Sequence, residues 1–382
     1  MKKLFAAIAA SLTLMSAAHA QTVPAPNIAA RSWTLVDATS GQVIASQDAN
    51  MRIEPASLTK VMTAYVVFGA LRDKKVTLDQ MVNVSVDAWK VDKSSSKMFI
   101  DPKVPVSIKD LLYGLMVQSG NDAAVALAEA VGGDMGTFAT LMNREAQRLG
   151  MKDTKFANPH GLPSPDNYST AHDLAILAQA VIRDYPEFYK IDSVKEFTYN
   201  RIKQQNRNRL LWLDPTVDGM KTGHTEASGY SMIASAHRPN GPAGERRLIS
   251  VLSGASSDGT RTGESQKLLN WGFQNFDTVK LYNKGQAIAT PEVWKGSQST
   301  VKIGFPNDVL VTVPKGVAGK LKPVLERKDP LVAPLARNGQ VGTLKMMVDG
   351  KQLLVLPVVA LEEVPQATIF GRAWDSMRLW MK

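Results

Sequence analysis

The chain has 382 residues, a formal net charge of +10, no cysteine and 44% hydrophobic residues. Without cysteine it has no disulfides and no thiolate metal sites, so apolar cores must hold the fold, and the length suffices for more than one domain. Its five histidines form no H-E-x-x-H pair. We therefore expect no catalytic metal and no cofactor.

The first twenty residues, MKKLFAAIAASLTLMSAAHA, have the organisation of a secretory signal peptide. Lys2 and Lys3 precede an apolar stretch that is shorter than the roughly 20 residues of a spanning helix, and a small-x-small sequence ends at Ala20. We expect cleavage before Gln21 and export. Export excludes nucleic acid as the partner of the basic charge and leaves an anionic membrane surface, a cell-wall polymer or a solvated basic surface.

Residues 21–277 have the patterns of a mixed α/β domain. Residues 32–53 predict a β-hairpin that turns at Ser40-Gly41, and helical periodicity follows over residues 58–71. Ser107, with Asp110 three residues later, resembles a capping box at the start of another helix. The other expected elements are helices at 121–131, 135–149, 171–184 and 263–276 and strands at 229–237 and 246–255.

Residues 278–364 lack helical periodicity, and short strand-like runs such as STVKIGF (299–305) alternate with turn residues. This pattern predicts a second, all-β domain, a small sandwich. Residues 365–382 predict an amphipathic helix that places Phe370, Trp374 and Trp380 on one side and basic residues on the other. Such a helix is typical of in-plane membrane binding, and the alternative is docking on its own domain.

Ser57 and Lys60, in PASLTKVMTAYV, lie three residues apart at the start of the first predicted helix. Residues i and i+3 share a helix face, and a lysine with a lowered pKa can take the proton of a serine. The alternative is a serine N-cap followed by a solvated lysine. The spacing recurs at Ser94/Lys97 and Ser299/Lys302, but only the helix after Ser57 is apolar enough to bury its lysine.

Two further tripeptides follow in the chain. Ser119-Gly120-Asn121 is the only S-x-N and falls in a break between two predicted helices, where side chains can reach a cleft. Lys221-Thr222-Gly223 enters the strand region, and its glycine permits close backbone approach while lysine and threonine offer a carboxylate a charge and a hydroxyl. Arg261-Thr262-Gly263 is a near match to it. The order and spacing of all three motifs are far less accidental than any one of them.

S-x-x-K, S-x-N and K-T-G in this order resemble the motifs of serine β-lactamases and penicillin-binding proteins. The whole chain is similar to the low-molecular-mass penicillin-binding proteins, D-alanyl-D-alanine carboxypeptidases of the penicillin-binding protein 5/6 type, since it also has FANPHGL, QQNRNRLLW, a β domain and a terminal amphipathic helix. The resemblance implies a signal peptide at 1–20, a β-lactamase/transpeptidase-like α/β catalytic domain at 21–277, an all-β domain at 278–364 and a membrane-anchor helix at 365–382.

The resemblance also implies roles at matching positions. Ser57 would be the nucleophile and Lys60 its general base, while Ser119, Gly120 and Asn121 would serve proton transfer and substrate recognition. Lys221 would tune the electrostatics of the site, and Thr222 and Arg207 would hold the terminal carboxylate. The backbone N–H groups of Ser57 and His224, the residue after Gly223, would form the oxyanion hole. His160, Ser95 and Ser96 match with weaker roles, and His160 can equally be a structural histidine.

The segment NRLLWLDPTVDGM, between Arg207 and Lys221, has a proline and an extra arginine that the family pattern does not require. This departure makes the reach of Arg207 a question for the structure.

The expected reaction is removal of the terminal D-alanine from peptidoglycan pentapeptide stems through an acyl-enzyme on Ser57. β-Lactam antibiotics would acylate the same serine. The expected location is the periplasm, attached to the anionic outer face of the cytoplasmic membrane by the C-terminal helix. The alternatives are a D,D-endopeptidase, a β-lactamase and a non-catalytic peptidoglycan-binding scaffold; the chain shows no E-x-x-L-N element of a β-lactamase.

Overall fold

The structure, a computed structural model, describes residues 23–92, 95–240 and 244–381. The predicted signal peptide and Ser94 lie outside the described residues. The described chain divides into two compact units. The larger unit holds Ala25–Pro239 and Gly244–Gln274, and the smaller holds the chain from Asn275 onward together with Asn240.

The larger unit is built on a five-stranded antiparallel sheet of order β2-β1-β9-β8-β7. Two short pairs, β3-β4 and β5-β6, lie outside this sheet. The strands are β1 Ser32–Asp37, β2 Gln42–Gln47, β3 Met81–Val82, β4 Val106–Ser107, β5 Glu196–Tyr199, β6 Ile202–Gln205, β7 Val217–Thr225, β8 Gly229–Pro239 and β9 Glu245–Ala255.

The central strands are buried on both faces of the sheet. Along β9, Ile249 and Val251 point into one core, while Leu248 and Leu252 point into the other, as the two-residue period of a strand requires. Helices cover each face, which explains why β8 and β9 read as nearly continuous apolar runs. The expected hairpin at 32–53 and both expected strands are confirmed, whereas the β5-β6 hairpin was not predicted.

Helices form both the cover of the sheet and a subdomain beside it. They are α1 Thr59–Arg72, α2 Val86–Trp89, α3 Ile108–Tyr113, α4 Asn121–Gly132, α5 Met135–Leu149, α6 Ala171–Asp184, α7 Pro186–Tyr189, α8 Leu210–Leu213 and α9 Asp258–Asn275. The predicted cap is confirmed, because the Ser107 hydroxyl accepts the Asp110 N–H at 3.0 Å. The Asp110 carboxylate accepts from the Ser107 hydroxyl at 2.8 Å and not from its backbone N–H, so the box is incomplete. The last helix begins at Asp258, before the expected residue 263, because Ser257 Oγ accepts the Thr260 N–H and caps an earlier turn.

The smaller unit consists of β-strands around one apolar core. A five-stranded sheet of order β11-β13-β18-β17-β15 shares this core with the pairs β10-β14 and β12-β16. The strands are β10 Phe276–Tyr282, β11 Ala287–Ala289, β12 Val293–Trp294, β13 Ile303–Gly304, β14 Val309–Pro314, β15 Lys322–Arg327, β16 Leu331–Val332, β17 Gln340–Val348 and β18 Lys351–Ala360. The all-β class is confirmed, but the strand expected at 299–305 covers only Ile303–Gly304.

A final helix, α10 Ile369–Trp380, belongs to the smaller unit. Thr368 caps it by accepting the Gly371 N–H. In the described part of the chain, every helix is too short or too polar to cross a bilayer.

Candidate active site

Ser57 and Lys60 meet at the entrance to α1. Ser57 lies in the short 3₁₀ turn Ala56–Leu58 and caps no helix with its side chain, so the N-cap interpretation is wrong. Lys60 is completely buried, and its Nζ lies 3.0 Å from Ser57 Oγ and 2.6 Å from the His160 carbonyl oxygen. The lysine is therefore not a solvated one, and its amine is in hydrogen-bond contact with the serine hydroxyl.

The surroundings of Lys60 favour its neutral form. Burial and, after it, the positive charge of Arg207 lower its pKa from 10.5 to about 7, and the charge of Asp122 acts in the opposite direction. An amine with a pKa near neutrality is a competent proton acceptor at physiological pH, which an ordinary lysine is not. The turn of residues 56–60 thus has the geometry and the protonation chemistry of an activated serine.

The HGL sequence supports this turn from the opposite side. A Cβ on Gly161, which has φ +84°, would overlap the Ala56 carbonyl oxygen, so only glycine fits there. Burial and then the charge of Lys60 lower the pKa of His160 to about 4, and its Nδ1 accepts the Leu162 N–H. His160 is therefore a neutral histidine whose backbone carbonyl contacts the site.

Ser119, Gly120 and Asn121 connect α3 to α4. A π-helical turn, Gly114–Gln118, ends at Ser119, which has the left-handed dihedrals φ 66° and ψ 35°. Its Oγ is buried and has no hydrogen-bond partner among the described residues. A strained backbone with an unpaired buried hydroxyl is the kind of feature that persists at functional sites.

Asp122 fastens the neighbouring loop to this connection. Its carboxylate accepts the N–H groups of Met98 at 2.9 Å and Phe99 at 2.8 Å, while the Asn121 N–H donates to the Ser96 carbonyl at 2.7 Å. A Cβ on Gly120 would lie only 2.7 Å from an Asp122 oxygen, so this glycine leaves room for the carboxylate. The loop with Ser95 and Ser96 is thereby held beside Ser119 and Asn121.

Lys221, Thr222 and Gly223 lie on β7, the edge strand of the main sheet, and all three are buried. A Cβ on Gly223 would lie 3.2 Å from the Pro55 carbonyl oxygen and 3.3 Å from the Ala56 Cβ. The absence of a side chain there lets β7 run directly beside the turn that carries Ser57. His224 follows at an exposed position, with its ring centroid 4.1 Å from that of Tyr230.

Positive charge accumulates around this strand. Burial lowers the pKa of Lys221 well below its ordinary value, and Lys60, Arg207 and Arg261 lower it further, whereas Asp192 raises it. Arg207 is exposed, and its Nε donates to the Gln118 carbonyl at 3.2 Å, next to Ser119. Despite the unusual segment that follows it, Arg207 therefore reaches the same site as the three motifs.

Two charged residues near β7 were not predicted as site residues. Arg261 donates to the Gly223 carbonyl at 3.0 Å and pairs with Asp258 at 2.6 Å, so the near match Arg261-Thr262-Gly263 supplies a cation beside the K-T-G strand. Asp192 is buried near Lys221 and had no sequence signal at all. The third S-x-x-K pair, Ser299/Lys302, lies in the smaller unit, and the Lys302 backbone N–H donates to the Glu362 carboxylate at 3.0 Å.

The arrangement defines a class of protein: an active-site serine peptidase with a buried lysine base on a penicillin-binding fold. The family profile described as Peptidase S11, D-alanyl-D-alanine carboxypeptidase, matches residues 19–257, and the profile of the penicillin-binding protein 5 C-terminal domain matches residues 276–366. The chain belongs to the S11 family of D-alanyl-D-alanine carboxypeptidases.

Known proteins agree with this assignment along almost the whole chain. It is 45% identical to D-alanyl-D-alanine carboxypeptidase DacC of Escherichia coli, over 93% of this chain and 89% of that protein. It is 44% identical to DacA of Haemophilus influenzae, over 94% and 91% respectively. Its structure is similar to that of penicillin-binding protein 5 from Haemophilus influenzae, with a TM-score of 0.86, 43% identity, and coverage of 90% of this chain and 100% of the other.

Proposed function

We propose that this enzyme removes the terminal D-alanine from peptidoglycan pentapeptide stems through an acyl-enzyme on Ser57. The observation that carries the proposal is the 3.0 Å contact between the Ser57 hydroxyl and the buried Lys60 amine, whose pKa is about 7. The names of the two curated relatives, both D-alanyl-D-alanine carboxypeptidases, support this substrate.

In the first step Lys60 takes the Ser57 proton while Oγ attacks the carbonyl carbon of the penultimate D-alanine. The N–H groups of Ser57 and His224 would receive the developing oxyanion, and loss of one such donor costs about 10²–10³ in rate. The peptide bond then breaks as the leaving amine accepts the proton that Lys60 took from Ser57, with Ser119 as the relay. D-alanine then departs. Water attacks the ester in the same way, which returns the proton to Ser57 and releases a tetrapeptide.

The cations on this side of the site suit a substrate that ends in a carboxylate. Thr222 offers a hydroxyl beside a group of basic side chains. Arg207 and Arg261 are close enough to Lys221 for their positive charges to lower its pKa. We propose that Thr222 and Arg207 hold the substrate carboxylate, that Asn121 and Gly120 line the path of the stem, and that Lys221 supports Ser119 and Lys60 electrostatically. The carboxylate of a β-lactam would occupy the same position, so the antibiotic acylates Ser57.

Ser57→Ala tests the proposal directly. With a synthetic stem that ends in D-Ala-D-Ala, the variant should release no D-alanine, and mass spectrometry should find no adduct after ampicillin treatment. Ser299→Ala is the matched control, because it removes a serine with the same S-x-x-K spacing in the other unit and should leave both readouts unchanged.

Persisting D-alanine release by Ser57→Ala would refute the proposal. A cross-linked stem dimer in the same assay separates the carboxypeptidase from a D,D-endopeptidase, since only the latter would cut the cross-link faster. Rapid turnover of ampicillin would indicate a β-lactamase, and a scaffold would show neither product nor adduct.

We also propose that the protein is exported by residues 1–20 and held at the outer face of the cytoplasmic membrane by residues 365–382, with 21–277 as the catalytic domain and 278–364 as the β domain. The polar side of α10 supports the orientation: Asp375 accepts the Lys295 N–H at 2.6 Å, and Arg378 lies 5.1 Å from the Trp294 ring centroid. The apolar residues remain exposed, with Ile369 at 73% and Phe370 and Trp380 both at 88%. A docked polar side with a free aromatic side fits an in-plane membrane helix.

Deletion of residues 367–382 should abolish sedimentation with anionic lipid vesicles and leave D-alanine release unchanged. The substitution Arg372→Gln, which removes a charge and keeps the apolar side, is the control and should retain most of the binding. Undiminished sedimentation of the deleted protein would contradict the anchor.

A further inference from the structure

Asp192 is a buried carboxyl group that no hydrogen bond explains. It lies in the turn Lys190–Ser193, is 1% exposed, and neither carboxyl oxygen has a partner among the described residues. An unpaired buried carboxylate is costly, so such a group either takes up a proton or has an opposite charge close to it. Its backbone carbonyl accepts from the Asn206 side chain at 3.4 Å.

The turn that carries Asp192 packs against β7. One turn earlier, Tyr189 occupies the space beside Gly219, where any side chain would overlap its hydroxyl, and it donates to Asp218 at 2.8 Å. Residues 189 and 192 share a face of a helical turn, and residues 219 and 221 share a face of a strand. Tyr189 contacts Gly219 on this face of β7. Asp192, one turn after Tyr189, therefore lies on the same side of the strand as Lys221, two residues after Gly219.

Asp192 is the carboxylate whose charge raises the pKa of Lys221, although the two groups form no ion pair within 4 Å. The Lys221 Nζ donates to the Thr222 carbonyl at 3.0 Å, and in the described part of the chain it forms no ion pair within 4 Å. Asp218, the other carboxylate on this side, is already paired with Arg247 at 2.7 Å. The cations that face Lys221 are Lys60, Arg207 and Arg261.

We propose that Asp192 is a positioning residue for the reaction: its carboxylate is the buried partner that keeps Lys221 protonated beside Ser119 and the substrate carboxylate. The inference rests on the proposed function, because it acts through a residue of that site. It adds a fourth element, contributed by the segment between α7 and β5, to the three motifs.

Titration of the two groups is consistent with such a pair. Burial raises the pKa of Asp192, Asp218 raises it further, and Lys221 lowers it. Burial lowers the pKa of Lys221, the three cations lower it further, and Asp192 raises it. Each group thus favours the charged form of the other, and the pair holds one proton whichever of the two carries it. Tyr189 and Arg247 complete the titratable and charged groups that face this pair.

The test is the pH profile of Ser57 acylation by benzylpenicillin, measured from pH 5 to 10 in the full chain and in Asp192→Asn. The acid limb belongs to Lys60, whose pKa is set by burial, Arg207 and Asp122, and the alkaline limb belongs to Lys221. In Asp192→Asn the acid limb should stay in place, and the alkaline limb should move to lower pH, with a loss of about tenfold in the second-order rate constant at alkaline pH. Glu196→Gln, which removes an exposed carboxylate at the start of β5, should leave both limbs unchanged.

A uniform loss at every pH would show a merely structural role and overturn the inference, as would a profile superimposable on that of the unaltered chain. Asp192→Ala, which leaves room for water, provides a second variant if the asparagine disturbs folding. In the unaltered chain, the alkaline limb should not move between 0.05 and 1 M salt, because a buried pair is screened little; a salt-dependent limb would contradict the pair. Failure of Asp192→Asn leaves the Ser57→Ala result untouched, so the two proposals fail separately.

Discussion

The pH dependence of acylation is the sharpest consequence of the buried lysine. With a pKa of about 7, Lys60 is about half neutral at pH 7, whereas with the ordinary value of 10.5 only about three molecules in ten thousand would have the free amine. The difference is a factor of about 10³ in the population that can accept the Ser57 proton. The environment of one side chain therefore accounts for a large part of the reactivity of the serine.

The perturbation that tests this account is Arg207→Gln. Because the charge of Arg207 lowers the pKa of Lys60, its removal should raise that pKa and move the acid limb of the profile to higher pH. The assay is the second-order rate constant of acylation by a chromogenic β-lactam, which reports the free enzyme. In the unaltered chain this constant should fall about tenfold for each pH unit below about 6.

The control is Arg201→Gln, which removes an exposed arginine from the β5-β6 turn and should leave the limb in place. Weaker binding of the antibiotic carboxylate would lower the rate of Arg207→Gln at all pH values without moving the limb. A rate that stays constant from pH 5 to 8 in the unaltered chain would refute the general-base role of Lys60. An acid limb that does not move in Arg207→Gln would refute the electrostatic reasoning.

Two further outcomes follow from the same turn. Lys60→Met should be inactive, but its free energy of unfolding at pH 6 should exceed that of the unaltered chain by about 1–3 kcal/mol, because the unfolded lysine binds a proton more tightly than the buried native one. This gain should vanish as the pH approaches 10.5. A variant that is less stable to urea than the unaltered chain at both pH 6 and pH 10 would contradict the expectation. Gly161→Ala should displace the turn at Ala56, lower the rate of Ser57 acylation by at least about tenfold and lower the free energy of unfolding by about 1–3 kcal/mol. The control Gly263→Ala, in an open helical position, should leave stability unchanged or raise it. Equal effects of the two substitutions would rule out the contact between Gly161 and Ala56.

Local patterns in the sequence were sufficient for most of the secondary structure. Apolar residues recur every two residues in β9 and about every 3.6 residues in α5 and α6, because each of these elements buries particular faces. The order of apolar and polar residues therefore indicates the type of element. Elements without such a signal were missed or shortened. β5 and β6 are four residues long and β13 is two, so each is too short for its pattern to stand out from the polar residues around it.

What the sequence by itself determined is the family, the all-β character of the smaller unit, and the order of the three motifs with Ser57, Ser119 and Lys221 at their heads. What only the tertiary structure decided is how those residues act on one another. The pKa of Lys60 depends on the depth of its burial and on Arg207, and the surroundings of Gly223 and Lys221 depend on Arg261 and Asp192, which no motif links to them. Electrostatic interaction depends on distance in space and on desolvation, and packing of segments far apart in the chain sets both.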